Sequence, residues 1–318
     1  MAKLSVLITD DVHPMMIDAF KEEGFDVHFD PGILYEEVKK IIPLYSGLII
    51  NSKINCNKEF IDLTQGLKFI GRLGSGREVV DIPYAQSKGI EVYFSPEGNR
   101  NAVAEHALAM LLALSNQLIE AEAEVRNHIW QREARRGWEL SGRTIGIIGY
   151  GHTGRQFAKK LSSMEMQVLV HDKYIKGFSD QDHYVEEVSR EELLLRSDII
   201  SLHLPLAKET YHYVDEKFIH ACKRGAIVIN TSRGNVVDTL ALVVALEQGV
   251  LGGACLDVFE NEKPSTYTAP ESELYQRLFK LKQVVLSPHI AGWTHESKMK
   301  MASVLIHKIF KHTTIAGS

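Results

Sequence analysis

The chain has 318 residues, enough for two domains with separate cores, and its 45% hydrophobic and 24% charged content excludes a disordered chain. A formal net charge of −5 gives no basic footprint, so neither nucleic acid nor an acidic membrane is expected as a partner. Cys56, Cys222 and Cys255 stand far apart without metal-ligand spacing, which predicts no metal site and a reducing, cytoplasmic setting. The opening residues read as a strand rather than a signal peptide, and the most apolar long stretch is interrupted by Glu105 and His106, so no targeting or membrane-spanning segment is expected.

Up to about residue 97, short β-rich runs near Val6, Val27, Leu48, Phe69 and Val92 alternate with amphipathic helices near Met15, Leu34, Phe60 and Tyr84. This pattern predicts a small parallel α/β sheet. From Asn99 to about Arg126 the apolar positions Ala102, Leu108, Leu111, Leu112, Leu114 and Leu118 predict one long helix, apolar over more of its circumference than a surface helix needs. Such a helix is either central or covered by a second subunit.

The stretch Thr144-Ile-Gly-Ile-Ile-Gly149-Tyr-Gly151-His-Thr-Gly154 then joins a strand, a GxGxxG turn and a helix without a gap. Gly149 and Gly151 let a backbone turn tightly and approach a pyrophosphate, Gly154 lets helix and strand pack closely, and the helix N-terminus offers N–H groups to phosphates. A second strand ends in Asp172, eighteen positions after Gly154, near the spacing at which an acid accepts the adenosine ribose hydroxyls. That carboxylate repels a 2′-phosphate, so NAD is the expected cofactor rather than NADP.

Apolar strands recur near Val168, Ile199, Ile227, Cys255 and Val285, with helices near Glu191, Lys217 and Leu242, and an amphipathic helix runs from Glu296 to His312. The expected fold is α/β with two doubly wound parallel sheets: a Rossmann NAD-binding domain over 99–289, and a smaller flavodoxin-like substrate domain from 1–98 completed by 290–318. The crossings near Gly98 and Ser287 would then be hinges over a cleft.

Ligands of such sheets bind outside the carboxyl ends of the strands. Polar groups predicted there include Asp10 and Asp11, Asn51 to Lys53, the run Arg72-Leu-Gly74-Ser75-Gly76-Arg77-Glu78, His203-Leu204-Pro205, Asn230-Thr231-Ser232-Arg233, Asp257 to Glu262, and Ser287 to Gly292. The two glycines of the 74–76 stretch make either a backbone nest of N–H groups for a carboxylate or an ordinary glycine turn. Arginine, a carboxylate and a histidine converging on one sheet edge suit reduction of a 2-keto acid. Arginine matches a carboxylate with a planar fork, histidine moves a proton near neutral pH, and an acid beside it stabilises the charged imidazole.

The stretches GYGHTG with Asp172, GNRNAVAEHALAMLLAL, NTSRGNVVDTLAL, LDVFENE and SPHIAG together resemble the D-isomer-specific 2-hydroxyacid dehydrogenases over nearly the full length, most closely the phosphoglycerate dehydrogenase branch. The resemblance implies that Arg233 binds the substrate carboxylate and keto oxygen, that His289 is the acid/base and that Glu262 is its partner. It implies a cofactor lining of Ser75, Gly149, Gly151, His152, Thr153, Gly154, Asp172, Leu204, Thr231, Ser232, Asp257 and Gly292. It places the substrate carboxylate on Gly74, Ser75 and Gly76, and implies a homodimer paired through the helix after residue 99.

Several departures bear on the substrate. The loop reads Gly74-Ser-Gly76-Arg77-Glu78 where relatives often have GxGxDN, Asn51 stands where phosphoglycerate dehydrogenases commonly have an arginine, Lys263 separates Glu262 from Pro264, and Trp293 replaces a small residue. Lys53, Arg77, or Arg132 from a partner subunit would have to substitute for the missing arginine. The chain stops soon after its last helix, so no regulatory domain is expected. The function expected is hydride transfer between NAD and a D-2-hydroxy acid or 2-keto acid, with 3-phosphoglycerate and 3-phosphohydroxypyruvate of serine biosynthesis as the pair. A glyoxylate/hydroxypyruvate or D-lactate type enzyme is the alternative, and an NAD-sensing corepressor-like protein is the non-enzyme alternative.

Overall fold

Alternating short apolar runs and capped helices build two parallel sheets, each with its own core, in the computed structural model, which describes residues 4–312. The chain falls into two compact units: the part up to Arg100 together with the part from Trp293 onward, and the stretch Asn101–Gly292.

In the first unit, β1 (Ser5–Ile8), α1 (Pro14–Glu22), β2 (Asp26–Phe29), α2 (Tyr35–Ile41), β3 (Gly47–Ile50), α3 (Lys58–Asp62), β4 (Phe69–Arg72), α4 (Ile82–Ser87) and β5 (Glu91–Phe94) form a sheet of order β2-β1-β3-β4-β5, the flavodoxin-like arrangement. The inner strands β3 and β4 are buried at every position, whereas edge strand β2 is largely exposed, as expected when helices cover both faces of the sheet. Helix starts follow local chemistry: Asn57 and Asp81 accept the amides of Phe60 and Tyr84, and Pro83 sits in the first turn of α4.

The predicted long helix is two: α5 (Pro96–Ser115) and α6 (Leu118–Arg126), bent by 65° at a break over Asn116 and Gln117. Gln117 is left-handed at φ 49°. The cause is tertiary: the Trp138 amide donates to the Ser115 carbonyl at 3.0 Å, and a Cβ at Gly137 would lie 2.4 Å from that oxygen, so another chain segment caps α5 there. Among the described residues, no single helix is long and apolar enough to cross a membrane.

The second unit continues with β6 (Thr144–Ile148), α7 (His152–Leu161), β7 (Gln167–His171), β8 (Glu186–Glu187), α8 (Arg190–Arg196), β9 (Ile199–Leu202), α9 (Glu216–Ala221), β10 (Ile227–Asn230), α10 (Thr239–Glu247), β11 (Gly253–Leu256), α11 (Ala269–Lys280) and β12 (Val284–Leu286). Its order, β12-β11-β10-β9-β6-β7-β8, turns back at β6, which is the dinucleotide-binding topology with one added strand. Periodicity did not announce two elements. The edge strand β8 is two exposed or half-exposed residues, and α11 is marked chiefly by its Thr268/Glu271 capping box and Pro270. Ala104, Ala107, Met110 and Leu111 of α5 pack in one core with Ile147, Ile229 and Cys255 of the sheet. The thiols of Cys56 and Cys255 are pushed up to about 12 by burial, which leaves them inert packing groups. The final helix, α12 (His295–His312), belongs to the first unit, where Ala302, Leu305 and Ile309 pack with Ile49, Phe69 and Leu73.

Candidate active site

The turn after β6 is shaped by what its glycines touch. A Cβ on Gly149, whose φ is +94°, would lie 2.3 Å from the His203 carbonyl oxygen, and one on Gly154 would lie 2.0 Å from the Gly149 carbonyl oxygen. Both positions are closed to any side chain. At Gly151 a Cβ would meet nothing within 4 Å, so packing inside the unit does not require a glycine there. Gly151 precedes the first turn of α7, whose N-terminus has no side-chain cap, and a methyl group there would fill the space a phosphate needs. The residues thus fit a dinucleotide.

Asp172 follows β7 and is nearly buried. Its carboxylate accepts the amides of Tyr150 at 2.6 Å, Tyr174 at 2.8 Å and Ile175 at 2.9 Å. Burial raises its pKa, but the amides of Ile175, Tyr150 and Tyr174 outweigh this and hold it below the ordinary value. Three acceptor sites of the ion are therefore occupied and about one remains for an outside donor. Beyond β10, the Thr231 Oγ1 atom is buried without a hydrogen-bond partner, a donor and acceptor awaiting a ligand beside the fingerprint sheet.

Two histidines follow strand ends, and the structure separates them. His203 is buried against Ser201 (2.9 Å) and Phe157, and burial pushes its imidazole down to about 4. It is a neutral core group near pH 7. His289 is half-exposed, and its Nδ1 lies 2.8 Å from Glu262 Oε2. Burial raises the Glu262 carboxyl, but the hydrogen bond and charge of His289, the Phe259 amide and the charge of Arg233 bring it below its ordinary value. Arg233, Glu262 and His289 are thus one electrostatic group, as their sequence positions implied.

The loop carrying His289 is held by residues that the sequence reading did not assign to this task. His289 is left-handed at φ 57°, costly for a side-chain-bearing residue unless its neighbours impose it. The Asp257 carboxylate, 1% exposed, accepts Ser287 Oγ at 2.6 Å and the amides of Ile290 at 2.9 Å and Ala291 at 2.8 Å, while the Asp257 carbonyl accepts the His289 amide at 2.7 Å. Asp257 is therefore first the clamp of this loop, beyond the cofactor contact implied for it. His106 of α5 reaches Ser287 Oγ at 2.8 Å, which explains the histidine interrupting an apolar helix. Asn230, fully buried, ties its own turn together: its Nδ2 donates to the Arg233 carbonyl, and its Oδ1 accepts the amide and hydroxyl of Ser232. Gly234 lies where a Cβ would be 1.9 Å from the Phe259 carbonyl oxygen, so the Arg233 turn and the 258–262 loop are in direct contact.

In the first unit, one feature of the expected nest is corrected. Gly74 is left-handed at φ +114°, but its amide donates to Ser95 Oγ at 2.9 Å, so this N–H stabilises the loop and is not offered to a ligand. Ser75 and Gly76 carry the remaining amides of the turn. Lys53 Nζ donates to the Pro31 carbonyl at 2.8 Å, and the Arg77 guanidinium lies over the Phe94 ring at 5.5 Å.

Comparison with known proteins agrees with this geometry. Residues 108–291 match the model of the D-isomer specific 2-hydroxyacid dehydrogenase NAD binding domain. The chain is 38% identical over 303 residues to a glyoxylate reductase of Thermococcus litoralis, covering 91% of this chain and 87% of that protein. It is 34% identical over 306 residues to D-3-phosphoglycerate dehydrogenase of Archaeoglobus fulgidus, covering 96% of this chain but spanning only 56% of that relative. A solved D-lactate dehydrogenase of Aquifex aeolicus, complexed with NAD and lactic acid, superposes with a TM-score of 0.82 at 29% identity, over 96% of this chain and 94% of that one. A glycine turn that fits a dinucleotide, a family model covering more than half the sequence, and relatives matched along nearly all of it place this chain in the D-isomer specific 2-hydroxyacid dehydrogenase family, with NAD as its cofactor.

Proposed function

We propose that this chain is an oxidoreductase interconverting D-2-hydroxy acids and 2-keto acids. The observation that carries the reading is the half-exposed His289 held 2.8 Å from Glu262, with the Arg233 charge beside the pair. NADH, when bound, supplies the hydride. Arg233 offers its guanidinium fork to the substrate carboxylate and keto oxygen, fixing the orientation of the reacting carbon and drawing electron density towards the oxygen. Protonated His289 delivers a proton to that oxygen, and Glu262, ionised throughout the neutral range, stabilises the imidazolium until it does so. In the reverse direction neutral His289 accepts the hydroxyl proton. The residues for the cofactor are Gly149, Gly151, His152, Thr153 and Gly154 for the pyrophosphate, Asp172 for the adenosine ribose, and Ser75, Leu204, Thr231, Ser232, Asp257 and Gly292 for the remainder. Ser75 and Gly76 are the proposed amides for the substrate carboxylate.

The first substrate reading is 3-phosphohydroxypyruvate, with Lys53, Arg77, or Arg132 from a partner subunit, replacing the arginine absent at 51. A second, a glyoxylate/hydroxypyruvate reductase or D-lactate-type dehydrogenase, is favoured by the engagement of Lys53 with Pro31 and of Arg77 with Phe94. Oxidation of NADH with glyoxylate, pyruvate, hydroxypyruvate and 3-phosphohydroxypyruvate tests both. The first reading expects 3-phosphohydroxypyruvate to be reduced more efficiently than hydroxypyruvate, with a difference that shrinks as salt screens exposed charge. Equal efficiency selects the second reading, and no turnover of any keto acid rejects the enzymatic reading. We also propose that the chain pairs with a second copy through α6 and the loop after it, where Leu118, Val125 and Trp130 are 58%, 49% and 74% exposed.

A further inference from the structure

The adenosine edge of the fingerprint sheet carries Asp172-Lys-Tyr-Ile-Lys176, an acid followed closely by two lysines. An acid there selects NAD, while a cation beside it accommodates the 2′-phosphate of NADP, so the sequence alone leaves the local balance open. The structure accounts for both lysines. Lys176 Nζ donates to the Asp172 carbonyl at 2.7 Å and lies 3.8 Å from Glu187. Lys173 Nζ donates to one carboxylate oxygen of Glu209, and the Tyr174 hydroxyl donates to the other.

Glu209 comes from a different connection. It lies in the loop after β9, and β9 and β7 are the two neighbours of β6, so Glu209 reaches from one side of the glycine turn to the residues on the other. Its loop is built rather than loose: Thr210 Oγ1 donates to the Pro205 carbonyl at 2.6 Å and accepts the Ala207 amide at 2.8 Å, and the Tyr211 amide donates to the Ala207 carbonyl at 3.0 Å. The Lys173 side chain is 62% exposed and that of Glu209 45%, so the pair contributes little to stability. Its consequence is local charge. Lys173 is turned to Glu209, and Lys176 to the Asp172 carbonyl and Glu187.

We propose that Glu209 is a specificity-determining residue for the cofactor: by holding Lys173 and Tyr174 it denies an adenosine 2′-phosphate the cation it would need. Selection of NAD then rests on two carboxylates, Asp172 and Glu209. This inference rests on the reading of Asp172 as the ribose acceptor, and the experiment separates the two.

Isothermal titration of 5′-AMP and of adenosine 2′,5′-bisphosphate into the wild-type protein, Glu209→Gln, Glu209→Gln/Lys173→Ala and Asp172→Ala reads binding without turnover. Glu209→Gln should tighten the bisphosphate about three- to fivefold at low ionic strength, leave 5′-AMP unchanged, and lose the gain as salt is raised. The double variant should return to the wild-type ratio, because Lys173 is the cation released. The NADPH/NADH ratio of catalytic efficiency should follow the same order. A ratio unchanged in Glu209→Gln but raised in Asp172→Ala overturns the role of Glu209 and leaves Asp172 standing. A gain that persists in the double variant also overturns it. A gain in Glu209→Gln with none in Asp172→Ala sustains Glu209 and refutes the ribose role of Asp172.

Discussion

His289, the proposed proton-transfer residue, shows how much of a side chain's behaviour is set by atoms around it. Its left-handed backbone is held by the Asp257 carbonyl and by two amides that donate to the Asp257 carboxylate, so the imidazole is aimed before any ligand arrives. Glu262 supplies the charge. Its carboxyl is held below its ordinary value, so it stays ionised as pH falls towards the carboxylate range. Reduction needs the protonated ring and oxidation the neutral one. Removing the carboxylate charge with Glu262→Gln disfavours the imidazolium, so reduction should be lost at a lower pH on the alkaline side and oxidation should begin at a lower pH. Profiles of catalytic efficiency in both directions check this, and unmoved profiles would remove Glu262 from the proton-transfer pair. That Arg233, Glu262 and His289 meet was legible in the sequence because all three follow strand ends on one sheet edge and lie in family motifs. The clamp by Asp257, Ser287 and His106 was not, because it joins α5, the end of β11 and the loop after β12, and no local pattern relates those positions.

At the level of elements, the strand, turn and helix around Gly149 were readable because every requirement is local, yet the structure assigns its three glycines different jobs. Gly154→Ala places a methyl group 2.0 Å from a backbone oxygen, so the turn must open and the fold should lose several kcal/mol, on the order of 3. Gly151→Ala meets nothing within 4 Å and should leave the melting temperature nearly unchanged while weakening NADH binding roughly tenfold. Thermal unfolding and NADH fluorescence titration of the two variants separate the effects. A Gly151→Ala protein that binds NADH normally would mean that the dinucleotide does not approach this turn. The break between α5 and α6 is the converse case. Apolar residues continue through Asn116 and Gln117, so periodicity predicts one helix, and only the chain at Gly137 and Trp138, twenty residues on, occupies the space and the carbonyl that a longer helix would need.

For the whole molecule, α6 and the following loop expose a run of apolar side chains, Leu118, Ile119, Val125, Ile129 and Trp130, which is the surface proposed for pairing. If a second copy covers it, sedimentation should show a dimer, and Trp130→Glu, which introduces a charge where a 74% exposed indole stands, should give monomers with unchanged secondary structure. A wild-type monomer at micromolar concentration would reject the pairing. The two parallel sheets were legible because buried strands flanked by helices write themselves as apolar runs at regular spacing, and because a glycine fingerprint binds strand, turn and helix into one local unit. Edge strand β8 escaped because two residues without burial carry no such signature. Residue types and short spacings thus determined the fold class and the cofactor, since strand, glycine turn, helix and ribose acid are read within a few tens of residues, and they named the proposed trio Arg233, Glu262 and His289 through strand-end placement and family motifs. Which lysine is free, which amide is spent and which histidine stays neutral depend on distances between distant segments. Gly74 donating to Ser95, Lys173 turned to Glu209, and His203 buried against Phe157 became visible only once the chain had folded and those segments had met.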